Sequence, residues 1–161
     1  MYKKIMVPLD GSELAECVLP HVDAFISGCQ VGSIVFVRVI DPTPLAVRGS
    51  YVTSKEDLDR LEASSKRVED ERKSAAEQYL KQIAGRVQTD RVEIKTEVVV
   101  GKVADSLVDY AEDNQIDLIL IATHGRSGVS RWVRGSIADR VLRAAKVPVL
   151  MVRAPGAPRE K

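Results

Sequence analysis

Residues 116–122 run Ile-Asp-Leu-Ile-Leu-Ile-Ala. A run this apolar, with no polar alternation after Asp117, is the pattern of a strand buried on both faces. Such a strand needs parallel neighbours and helices above and below it. The flanking sequence supplies them. Before it, residues 102–115 place Val103, Leu107, Val108 and Ala111 at helical spacing. Residues 92–100 alternate charged and apolar side chains, as a half-exposed strand does. Residues 55–84 predict a long helix, charged at first and amphipathic later. Leu58, Leu61, Val68, Tyr79, Leu80 and Ile83 are among its apolar members, and its charge run reads as a solvated face. Residues 33–40, SIVFVRVI, are a β-branched strand.

The outer segments complete the series. Residues 3–9, KKIMVPL, form the first strand, with Pro8 at its end, where a missing N–H is tolerated. Asp10-Gly11-Ser12 follows as a turn, and Ser12 is a candidate cap for a helix carrying Leu14, Val18, Val22 and Phe25. Residues 41–53 are a loop with Pro42, Pro44 and Gly49. After the quoted run, residues 123–134 form a Gly- and Arg-bearing loop, Gly135-Ser136 opens a helix through Ala145, and Pro148–Val152 is the last strand. Strands alternating with helices of crossover length predict an α/β chain. Its architecture is an open five-stranded parallel sheet with helices on both faces, a Rossmann-like three-layer sandwich. One domain is expected over residues 1–153, with 154–161 a flexible tail.

Composition narrows the function. The 161 residues are 45% hydrophobic and 29% charged, with 24 Lys+Arg against 23 Asp+Glu. That near-balance argues against a nucleic-acid coat. At 4% aromatic, the chain has little with which to stack single-stranded bases. No nucleic-acid or membrane partner is expected. No apolar run reaches the length of a membrane span, and the opening MYKKIMVPLD lacks the apolar core of a leader, so a cytoplasmic setting is expected. Cys17 and Cys29 fit neither a redox pair nor a metal knuckle and read as small core residues.

In an open parallel sheet, ligands sit beyond the carboxyl ends of the strands, where strand order reverses. Two strand-end loops are rich enough to form walls of such a site: residues 8–12 and residues 122–128, the latter running on to Gly135-Ser136. Gly125 and Gly128 let backbone amides approach a phosphate, and Gly135-Ser136 lies at a helix start, where unpaired N–H groups favour an anion. Arg126, Arg131 and Arg134 add positive charge. The alternative is a loop whose glycines only serve turns. Asp10 has a similar pair of readings: acceptor for a ribose hydroxyl, an adenine amino group or Mg²⁺, or organiser of its own turn. His124 is too isolated for a metal site and is a loop-ordering or phosphate-near residue at most. Neither GxxxxGK[ST] nor GxGxxG is present, and no nucleophile elbow occurs. No catalytic residue and no metal ligand set is nominated.

The opening YKKIMVPLDGSELAE and the segment ATHGRSGVSRWVRGSIADRVLRAAKVPVLMVR, residues 122–153, resemble the universal stress proteins of the UspA-like superfamily. The likeness spans residues 2–153 and implies the adenine-nucleotide alpha hydrolase-like version of the predicted fold. Nucleotide-binding members carry Gly, two residues, Gly, nine residues, Gly, then Ser or Thr. Here those places are Ala122, Gly125, Gly135 and Ser136, so the first departs from the pattern. The resemblance implies a binding site for ATP, or for AMP or ADP, with Mg²⁺ as a companion. Asp10 would contact the nucleoside, Pro8 would lie near the base, and Val39 would line the adenine pocket. Gly125, Gly135 and Ser136 would hold phosphates in the loop that also carries His124, Arg126 and Gly128. Ala122 would stand beside the ribose. The implied role is a stress-response sensor or regulator. Alternatives are a slow Mg-dependent ATPase or phosphotransferase, with at most weak ATP hydrolysis, and a dimeric interaction protein that binds no nucleotide. A homodimer through residues 147–152 is also implied, and an unidentified protein partner is compatible with a regulator.

Overall fold

The computed structural model describes residues 2–42, 54–87, 89–123 and 137–154. Strands β1 (Lys4–Pro8), β2 (Ser33–Ile40), β3 (Glu93–Val100), β4 (Leu118–Thr123) and β5 (Val149–Arg153) alternate with helices α1 (Leu19–Gly28), α2 (Lys55–Arg86), α3 (Val103–Asp113) and α4 (Ile137–Ala144). The five strands form one sheet in the order β3-β2-β1-β4-β5, and each neighbouring pair is parallel. This is the α/β sandwich expected from the alternation of elements.

Side-chain parity divides the core into two layers. Ile5, Val7 and Leu9 join Ile34 and Phe36 on one face, under Val18, Val22, Leu80 and Ile83 from the α1/α2 side. Met6, Val35, Val37, Ile119 and Ile121 face the other way, against Leu107 of α3 and Val141 of α4. Register holds this division in place. Lys4 pairs with Ser33 and Pro8 with Val37, so a slip of one residue would turn each buried face outward.

Several boundaries differ from the sequence expectation. The helix after Ser12 is split into a 3-10 turn, Ala15–Val18, and then α1. Pro20 explains the break: it sits in the first turn of α1, where its missing N–H costs nothing, and it cannot continue an α-helix from upstream. β4 begins at Leu118 instead of Ile116: the Ile116 N–H donates to the Ala111 carbonyl of α3 at 2.9 Å, and the Asp117 carboxylate accepts the N–H groups of Lys3 and Lys4 at 2.8 Å each. That contact joins the amino ends of β1 and β4. Cys17 is half-buried, with its thiol pushed up by burial, but Cys29 is exposed at the end of α1, so the core assignment fails for Cys29.

α2 has 32 residues, about 48 Å at 1.5 Å per residue. Ser54 caps it, its hydroxyl oxygen accepting the Asp57 N–H at 3.2 Å, with Glu56 and Asp57 placed favourably in the first turn. Its buried residues are Ala76, Leu80 and Ile83, near the C-terminal end. The charged first part is solvated, as its composition predicts. Among the described residues, no helix is long and apolar enough to cross a membrane.

Phe36 is fully shielded between β2 and the α1/α2 layer. Phe36→Ala is expected to cost about 3–5 kcal/mol through lost burial and a residual cavity. A urea unfolding midpoint close to wild type would show that this layer is not packed as described.

Candidate functional site

The chain passes from β1 outward to β2 and β3, then crosses back to place β4 and β5 on the other side of β1. Strand order therefore reverses between β1 and β4, and their carboxyl ends open side by side. In a parallel sheet this is where a crevice forms, because the two connections leave toward opposite faces. The Asp10 turn leaves from the end of β1, and Ala122 and Thr123 close β4.

The turn after β1 is tightly bonded. Leu9 N–H donates to the Val37 carbonyl at 2.9 Å, which carries the β1–β2 pairing past Pro8. Asp10 Oδ1 accepts from the Ser12 N–H at 2.8 Å and from the Ser12 hydroxyl at 2.6 Å. Ser12 Oγ in turn accepts the Ala15 N–H at 3.1 Å, which starts the 3-10 turn. Asp10 thus organises its own turn, one of the two roles open to it from sequence. It is nevertheless exposed, and among the described residues its Oδ2 has no hydrogen-bond donor. Gly11 has φ +90°, a left-handed conformation that side chains with a Cβ resist.

A second set of side chains gathers against this turn. The Arg38 guanidinium, near the end of β2, lies 5.2 Å from the centre of the Tyr79 ring. A Cβ placed on Gly11 would meet Cζ and both terminal nitrogens of Arg38 at 3.1 Å each, so the guanidinium lies flat against the turn. The Tyr79 hydroxyl donates to Glu16 Oε1 at 3.3 Å, and Arg86 binds Glu16 Oε2 at 2.5 Å. Burial chiefly pushes the Tyr79 phenol well above its ordinary range. The charge and hydrogen bond of Glu16 and the charge of Asp10 add to this, while Arg38 opposes it. The phenol therefore stays protonated and serves Glu16 as a donor.

The residues nominated from sequence are placed as follows. Pro8 is buried as the last residue of β1. Val39 is half-buried and packs on the α3/α4 layer. Ala122 is half-buried on the α1/α2 layer and opposite Val152 of β5. Val39 and Ala122 thus flank β1 from opposite neighbours and on opposite faces. His124, Gly125, Arg126, Gly128, Gly135 and Ser136 lie outside the described residues, as do Arg131 and Arg134. β4 ends at Thr123 and α4 begins at Ile137, so the segment carrying them starts from the β4 side of the reversal. Among the described residues, no group of three His, Cys, Asp or Glu side chains could hold a metal ion. Glu16, Arg38 and Tyr79 were not nominated. One signal was available: Arg38 is the only charge in the apolar run SIVFVRVI.

Known proteins with this arrangement agree with the sequence resemblance. Residues 1–153 match the model of the Universal stress protein family. Universal stress protein MJ0531 of Methanocaldococcus jannaschii is 30% identical over 158 residues, covering 96% of this chain and 84% of its own. Universal stress protein MJ0577 of the same organism is 28% identical, covering 95% and 96%. The solved structure of MJ0577 superposes with a TM-score of 0.73 at 26% identity, over 100% of this chain and 99% of that one. A universal stress protein from Arabidopsis thaliana, solved with AMP bound, shares the fold with a TM-score of 0.60 at 15% identity, covering 96% and 93%. By sequence across nearly its whole length, this chain belongs to the universal stress protein family.

Proposed function

We propose that the chain binds an adenine nucleotide, ATP before ADP or AMP, at the β1/β4 reversal and acts as a stress-response regulator. Ligand binding would alter its shape or its choice of partner. The observation that carries this is the side-by-side placement of the Asp10 turn and the end of β4. The spacing of Gly125, Gly135 and Ser136 follows directly from β4 in sequence. AMP in the plant relative supports the same ligand class.

The donor set suits a nucleoside. Asp10 Oδ2 is an acceptor for a ribose hydroxyl, while Oδ1 stays committed to the turn. Turn ordering and ligand contact are therefore compatible roles of one carboxylate. Val39 offers half-buried apolar surface at the end of β2, and Pro8 fixes the backbone before Asp10. Gly125, Gly135 and Ser136 are assigned to the phosphates, with His124, Arg126 and Gly128 in the same loop. Mg²⁺ would be held mainly by phosphate oxygens, with Asp10 as a candidate neighbour, and would neutralise their charge. Ala122 in place of Gly favours the reading of a site that has lost its ligand. Its packing against the α1/α2 layer, however, gives the methyl group a place in the core. Phosphoryl transfer also needs an oriented nucleophile. No residue is assigned that role, so at most weak hydrolysis is proposed.

Copies of the chain are proposed to pair through β5. Among the described residues it is an edge strand, bonded to β4 alone. Leu150 on β5 and Ile137 and Leu142 on α4 are 40%, 44% and 45% exposed, a cost that pairing would relieve.

Calorimetry with ATP, ADP, AMP and cyclic AMP, with and without Mg²⁺, is expected to show sub-millimolar binding of at least one nucleotide. Asp10→Ala is expected to weaken it by about 1.5–3 kcal/mol, the worth of a hydrogen bond to a charged group. Gly135→Val is expected to remove the gain from phosphates but leave adenosine binding intact. No binding by wild type would refute the nucleotide proposal, and equal ATP affinity in Gly135→Val would refute the phosphate placement. Sedimentation equilibrium is expected to give a dimer for wild type and a monomer for Leu150→Asp. A monomeric wild type across the concentration series would refute pairing.

A further inference from the structure

Arg38 occupies an unusual position for a charged side chain. It alternates with Val37 and Val39, which face the α3/α4 layer, so it falls on the α1/α2 face of the sheet. There its guanidinium is enclosed between the Tyr79 ring and the Gly11 backbone. Among the described residues, it forms no salt bridge with any carboxylate. Packing and cation–π attraction hold it, and both act on the planar face of the group. Tyr79 is itself tied through Glu16 to Arg86, so the far wall of the enclosure belongs to α2 and the 3-10 turn. Asp10 is the residue before Gly11 and is bonded through Ser12 into that same 3-10 turn.

We propose that Arg38, stacked between Tyr79 and Gly11, is a positioning residue that presents Asp10 to the ligand and makes α2 part of the binding site's support. This rests on the nucleotide reading for its ligand, but the brace itself exists without ligand. It acts at the nucleoside end, so its loss weakens adenosine, AMP and ATP by one common factor. The guanidinium plane matters more than its charge, so lysine does not replace it.

Two measurements test the proposal. The first uses ligand-free protein and follows amide hydrogen exchange at Ser12 and Ala15, whose N–H groups close the Asp10 turn. Arg38→Met is expected to raise exchange there about twofold to thirtyfold, the range set by one cation–π contact. β4 and α3 amides should stay at wild-type rates. Tyr79→Leu should match it, Tyr79→Phe should stay near wild type, and Arg38→Lys should fall between. The second is calorimetry on the same variants, with an equal fractional loss expected for adenosine, AMP and ATP. Wild-type exchange at Ser12 and Ala15 in Arg38→Met overturns the brace. So does full rescue by Arg38→Lys, or a loss of ATP affinity without a loss of adenosine affinity. If wild-type protein binds no nucleotide, the nucleotide reading fails, and the exchange data alone decide the brace.

Discussion

Met6 and Val7 of β1 are wholly shielded from water, so the backbone N–H and C=O groups around them find partners only on β2 and β4. An unpaired peptide group at that depth would cost far more than a paired one contributes. A strand that must be paired on both edges and covered on both faces cannot lie at the margin of the sheet. Among the described residues, β2 and β3 lie on one side of β1 and β4 and β5 on the other. The reversal of strand order, and with it the crevice, follows from that one requirement.

The same requirement shapes what stands at the crevice. Pairing with β2 continues past Pro8 through Leu9 and Val37, which fixes where the turn begins. Asp10 and Ser12 bond each other instead of the sheet, and their turn hands the chain to the 3-10 segment. Arg38 lies two residues short of the end of β2 and meets this turn because β1 and β2 are in register. The support of the turn thus comes from β2 and α2, whereas the other wall comes from β4. The ends of β1, β2 and β4 are far apart in sequence but adjacent in the sheet.

The two sheet edges are managed differently. β3 exposes Glu93, Lys95 and Glu97, charges that discourage another strand from adding there. β5 exposes Leu150, which shares the α1/α2 face with Val152, and lacks such a charged row until Arg153. α2 shows a related asymmetry: its last turns are anchored in the core, and its long charged beginning is solvated. The anchored end carries Tyr79 and Arg86, so this helix contributes to the turn's support only through its buried third.

Local pattern was enough for the alternation of elements, since apolar periodicity acts within a few residues. It made the strand at 116–122, the solvated face of α2 and the turn at Asp10 legible, and it supported the parallel sheet. It placed the helix start at Ser12 too simply, because Pro20 acts on hydrogen bonds one turn before itself. Asp10 could be read as turn organiser or ligand acceptor, and only the folded turn shows how its two oxygens are divided. Arg38 was visible as an odd charge in an apolar strand, but its partners lie 27 and 41 residues away in sequence, at Gly11 and Tyr79. The amino-acid order by itself determined which segments become strands and helices, through side-chain period and turn chemistry. Strand order, and therefore which strand ends meet and which side chains support Asp10, was decided only by the tertiary structure, because pairing both edges of β1 is a condition on the whole chain.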